Sequence, residues 1–191
     1  MKMTYILFSI VLFASNTEAG NIFDDTLNAT AGKFFNQKVS EIYEKALQCR
    51  PLEIDMTTGE TAREWMEIKP AIPDWRMLKD MQSVAYEARD YASGKRGRDK
   101  AKHCYAGCFI TKKLDFKSAV MVGWLKELSD ATDCTDQPRF EKADYLATVA
   151  GAIAGINHPC ESFCGRYDVN GATGNEMLEK ALKENHITFR H

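Results

Sequence analysis

From residue 31 the chain sets Phe35, Val39, Ile42, Tyr43, Ala46 and Leu47 three or four positions apart, the spacing that turns one stripe of an α-helix toward a core. Residues 51–73 break that rhythm with Pro51, Gly59, Pro70 and Pro73, and read as a connector holding one short helix near 60–67. Asp74 then precedes a second stripe through Trp75, Leu78, Met81, Ala85, Ala88 and Tyr91, which Gly94 and Gly97 close. A third helix starts at Arg98 or Asp99 and runs to about Lys113, with Ala106, Phe109 and Ile110 as its packing residues. Asp115 offers a cap to a fourth, whose stripe is Val120, Trp124, Leu125 and Leu128.

After a loop at 132–138, residues 139–156 place Ala143, Ala147, Ala150, Gly151, Ala154 and Gly155 on successive turns. Glycine costs about 1 kcal/mol against alanine inside a helix. Two of them one turn apart therefore predict the close approach of another backbone, and mark this as the central, most buried helix. His158 before Pro159 ends it, because a residue preceding proline avoids the helical region. Residues 160–174 are rich in turn formers, and Asn175 can cap a last helix through Met177, Leu178, Ala181 and Leu182. With no lasting strand alternation and no internal repeat, the expected fold is all-α: a single disulfide-stapled helical bundle of about five to six helices.

The N-terminus changes the picture. Lys2 precedes an apolar run at residues 4–14, and a polar stretch ends at Thr17-Glu18-Ala19, the layout of a secretory signal peptide. The run is well short of the roughly 20 residues that span a bilayer. Cleavage after Ala19 is expected, making residues 1–19 the signal peptide and 20–191 a single helical domain, periplasmic or secreted, that meets a membrane only through the signal. No cysteine follows that site to carry a lipid. Lysine and arginine total 25 against 27 acids, and a net charge of -2 leaves no electrostatic footprint for nucleic acid.

Behind an export signal, the even set Cys49, Cys104, Cys108, Cys134, Cys160 and Cys164 reads as disulfides, with fifteen pairings open. On helices, residues four apart share a face with Cβ atoms about 5 to 6 Å apart, wider than the roughly 3.5 to 4.5 Å a disulfide takes. Bonds within each CxxxC pair are thus disfavoured. The expected bonds are Cys104 to Cys164, Cys108 to Cys160 and Cys49 to Cys134. A four-thiolate zinc site built from the two CxxxC pairs is the rival, and export weighs against it.

The candidate chemistry is polar and spread over three helices. Asp99 and His103 share one face, Glu127 and Asp130 another, with Lys126 spaced to pair with Asp130; Asp144 sits one turn into the small-residue helix, where a buried carboxylate needs a partner. In the functional reading His103, Glu127, Asp130 and Asp144 line a cleft, as general acid and base groups or as ligands of a divalent ion. In the ordinary reading Asp99 is a first-turn acid, His103 an interior histidine, Lys126 with Asp130 a surface pair, and Asp144 is held by a lysine. No cofactor is specified by these motifs. The three tryptophans, Trp65, Trp75 and Trp124, and the eight methionines read as packing, and His158 and His186 carry no chemistry.

Residues 99–155 resemble the YfiM-like family of bacterial periplasmic proteins and lipoproteins, which carries Asp-Lys-x-x-His, then Lys-Glu-x-x-Asp, then an Asp before a glycine-rich helix. The matching positions are Asp99, Lys100 and His103; Lys126, Glu127 and Asp130; and Asp144 with Gly151 and Gly155. The similarity covers less than a third of the chain. It departs from the family in lacking a lipid-attachment cysteine and in carrying the CxxxC pairs. The resemblance implies an envelope location and a shared polar cluster, and no substrate. The expected function is a polar cleft that binds a cell-envelope partner or small ligand. One alternative is an envelope hydrolase using His103. Another is an inhibitor or exclusion protein acting on a cell-wall enzyme through an exposed loop such as 132–138 or 165–174.

Overall fold

The computed structural model describes residues 21–48, 69–132, 140–167 and 174–185. Ala19, Cys49, Cys134, Trp65, His186, the short helix near 60–67 and most of loops 132–138 and 165–174 lie outside the described residues, as does the Trp75 side chain.

The described chain is all-α: α1 (Asn21–Gln48), α2 (Trp75–Ser93), α3 (Asp99–Lys113), α4 (Phe116–Ala131), α5 (Lys142–Asn157), α6 (Cys160–Cys164), a 3-10 turn (Gly165–Tyr167) and α7 (Gly174–Glu184). Starts are written locally. The Asp74 carboxylate accepts from the Arg76 N–H at 2.9 Å, and that of Asp115 from the Ser118 N–H at 2.6 Å, each satisfying an otherwise orphaned helix donor. Between α2 and α3, Gly97 adopts φ 130°, which a side chain would resist.

Helix α5 is the centre. One core lies on its α4 side, where Phe35, Leu78, Met81, Met121, Trp124, Leu128 and Tyr145 pack together. A second, built from Cys104, Tyr105, Cys108, Ile153, Phe163, Met177 and Ala181, joins α3, α5, α6 and α7. Val149 touches both.

The tightest seam joins α3 to α5. A Cβ added at Gly151 would overlap the Cys104 carbonyl, one at Gly107 would overlap the Thr148 carbonyl, and one at Gly155 would come within 2.9 Å of the Cys108 carbonyl oxygen. The glycines read as a backbone-approach signal meet that backbone here. Contacts advance in step along both chains, so α3 and α5 run parallel, each packing against the intervening α4. Two disulfides, Cys104–Cys164 and Cys108–Cys160, fasten α6 to the same stretch of α3, each with Cα atoms less than 6 Å apart. They cross between the CxxxC pairs, as the spacing favoured. With all four sulfurs bonded, no zinc thiolate site is formed from these pairs.

Three expectations are refined. The described residues hold seven α-helices rather than five to six. The addition is α6, missed because proline, serine and glycine around it read as turn; Pro159 suits the position preceding a first turn, and two sulfur crosslinks hold five residues that would not stand as a helix alone. The packing face of α3 is wider than expected. Ile110 is buried and Ala106 and Phe109 pack half-buried against the core as expected, and Ala101, Cys104, Tyr105, Gly107 and Cys108 are buried as well. The additional positions line a seam set by backbone proximity, which the spacing of large apolar residues does not report. At the last helix, Gly174 is already helical, one residue ahead of the expected Asn175 cap.

Candidate functional site

The first turn of α3 and the first two turns of α5 meet where the parallel seam begins. Asp99, Lys100 and His103 come from α3, and Glu141, Asp144 and Thr148 from the start of α5. His103 Nε2 lies 3.3 Å from Asp144 Oδ2 and 3.8 Å from Asp99 Oδ1. The opposite oxygens of the same carboxylates are held by Lys100: its ammonium is 3.1 Å from Asp99 Oδ2, in direct contact with Asp144 Oδ1, and 3.4 Å from Glu141. On the other side of the imidazole, Nδ1 is 3.4 Å from Thr148 Oγ1, whose hydroxyl donates to the Asp144 carbonyl at 3.0 Å.

A second group on α4 adjoins this one. Lys126 Nζ is 2.8 Å from Asp130 Oδ2 and 3.1 Å from Glu127 Oε1, and Glu127 Oε2 accepts the Glu141 backbone N–H at 3.1 Å. Glu127 thereby joins α4 to the residue that opens α5. Asp144 and Glu127 are buried, at 3% and 1% exposure, whereas the Asp99 side chain is 64% exposed, so the cluster has one wet edge.

Burial dominates the electrostatics. It pushes the Glu127 carboxyl up to about 7 against the pull of Lys126. It raises Asp144 too, helped by a hydrogen bond with Glu141 and opposed by Lys100. It lowers His103, reinforced by the Lys126 charge and opposed by Asp99, so the imidazole is neutral at neutral pH. For Lys126, burial works against the charged form, but Glu127 and Asp130 outweigh it and the ammonium is held above its usual range.

Of the four cleft candidates, His103 and Asp144 are in direct contact. Glu127 is linked to them through Glu141, and Asp130 faces Lys126. The reading of Asp144 as a carboxylate held by a lysine is met by Lys100, without removing its contact to His103. Sequence reasoning missed Glu141 and Thr148. Their signal was present: they lie three before and four after Asp144, on its face of α5.

Asp99, His103 and Asp144 each present a donor atom, all within 4.8 Å of one another. An imidazole and two carboxylates suit a divalent ion of the first transition row. The cluster also fits proton exchange between His103 and Asp144. Among the described residues no helix is long and apolar enough to cross a membrane. No family model, curated protein or solved structure matches the chain.

Proposed function

We propose that the chain is an exported, disulfide-stapled helical protein of the cell envelope, periplasmic or secreted, whose His103 cleft binds a small ligand or partner. The observation that carries the cleft reading is the His103–Asp144 contact at 3.3 Å, made between a buried carboxylate and a histidine whose neighbour Asp99 opens to solvent. Such a charged cluster is a costly way to fill a helix seam that apolar residues could fill. Its presence beside a seam of glycines supports a role in recognition. Two disulfides support an oxidising compartment. The motifs shared with YfiM-like proteins point the same way.

The test has two arms. Intact mass and thiol counting on exported protein should give a chain beginning at Gly20 with no free thiol. An intact Met1 with reduced cysteines overturns the compartment. A thermal-shift panel of metal ions, inorganic anions and small organic acids should then move the wild type and leave His103→Ala unmoved. Identical responses of the two overturn the cleft.

A hydrolase using His103 with Asp144 as its orienter is the second reading. It is favoured by that same contact, which lies within hydrogen-bond reach allowing for apo geometry. It ranks below binding because both ring nitrogens already face protein atoms.

A further inference from the structure

The hydrogen-bond pattern around His103 singles out one ligand class. The Thr148 hydroxyl commits its hydrogen to the Asp144 carbonyl, so toward His103 its oxygen can only accept. An imidazole hydrogen at Nδ1 therefore meets an acceptor, and Nε2 is the ring nitrogen turned toward Asp144 Oδ2 and Asp99 Oδ1, at 3.3 and 3.8 Å. The imidazole nitrogen and the two carboxylates each present one ligand atom to the same space, all within 4.8 Å of one another. Lys100 sits on the far oxygens of both carboxylates and holds them in place without entering that space.

We propose that His103 Nε2, Asp144 Oδ2 and Asp99 Oδ1 form a binding site for one divalent transition-metal ion, of which zinc is the natural probe. Ligands about 2.1 Å from a tetrahedral ion stand about 3.4 Å apart. The observed separations of 3.3 and 3.8 Å bracket that spacing, and exposed Asp99 is the ligand free to close in. The surroundings match those of protein metal centres, where a ligating histidine donates its other N–H to a fixed acceptor and ligating carboxylates are themselves held. Thr148 and Lys100 have those roles. Imidazole among the ligands selects against magnesium and calcium, which prefer all-oxygen sites. The disulfides make the site specific, because no described cysteine remains to compete for zinc.

This inference rests on the cleft reading, and the experiment separates their failures. Oxidised protein, verified free of thiols, is titrated with zinc, manganese and magnesium salts by calorimetry and by thermal shift. Zinc should bind at one equivalent per chain and raise the melting temperature, with magnesium inert. Asp99→Ala, at an exposed position, and His103→Ala should each weaken zinc binding at least about tenfold. Thr148→Val, which keeps the methyl packed on Gly123, should also weaken it about tenfold. Absence of stoichiometric zinc binding, or affinity unchanged in Asp99→Ala and His103→Ala, overturns the metal site. If other compounds of the panel still separate wild type from His103→Ala, only the metal assignment falls; if none does, the cleft reading falls with it.

Discussion

Lys100 and His103 divide the Asp144 carboxylate between them, the ammonium taking Oδ1 and the imidazole standing 3.3 Å from Oδ2. The two partners are not equivalent. Asp144 is buried, whereas Lys100 reaches partly into solvent and has Asp99 and Glu141 as further partners.

Removing the lysine should therefore cost more than removing the acid. Lys100→Met leaves a buried carboxylate without its cation, beside only the imidazole and another acid, Glu141, and should destabilise the fold by about 3 to 5 kcal/mol at pH 8. Asp144→Asn leaves a lysine that still has two acids, and should cost about 1 to 2 kcal/mol. Urea unfolding of the two variants decides the order; a larger loss for Asp144→Asn contradicts it.

The glycines give a sharper contrast. Gly151→Ala drives a methyl into the Cys104 carbonyl, and neither backbone can yield without parting α3 from α5, so a loss of about 3 kcal/mol or more is expected. Gly32→Ala, in the interior of α1 with open space around the new methyl, should instead gain about 0.5 to 1 kcal/mol. Thermal melts of both variants provide the check.

Sequence legibility followed the same division. Phe35, Val39, Leu78, Met81, Trp124 and Leu128 repeat at helical spacing and are buried, because large apolar residues report a core directly. Gly151 and Gly155 announced a close neighbour without naming it, since a missing side chain says nothing about what fills its place. Asp99, His103 and Asp144 were visible as acids and a base on two faces, but their convergence depends on α3 and α5 running parallel across an intervening helix. Glu141 and Thr148 act through a backbone N–H and a hydroxyl lone pair, groups that residue identity alone does not advertise.

The two crosslinks are nested, with sequence separations of 60 and 52 residues. Once one is formed, the other closes only a loop of about ten residues. Replacing one pair by serine should cost about 2 to 3 kcal/mol, and replacing both about 7 kcal/mol, more than twice as much. Denaturation of the two single-pair variants and the quadruple variant tests this; simple doubling argues against it.

Glu127 sets a pH dependence. Its carboxyl is raised to about 7 in the fold from 4.5. Below pH 4.5 it is protonated in both folded and unfolded chains and has no effect. As pH rises from there through 7 the unfolded chain releases its proton first, so stability falls, and the full cost is present above 7. Glu127→Gln keeps an oxygen for the Glu141 N–H and should gain about 1 to 3 kcal/mol at pH 8, fading to nothing near pH 4. A gain equal at both pH values rules out this origin.

Cys104, the residue after His103, carries two constraints at once: its carbonyl rests on Gly151 and its sulfur is tied to Cys164. The imidazole is consequently mounted next to a residue fixed at both backbone and side chain, while Asp99, one turn earlier, lies at an exposed edge. The proposed ion would meet that exposed aspartate at the wet edge of the cluster, and substitutions there are expected to tune how long it stays.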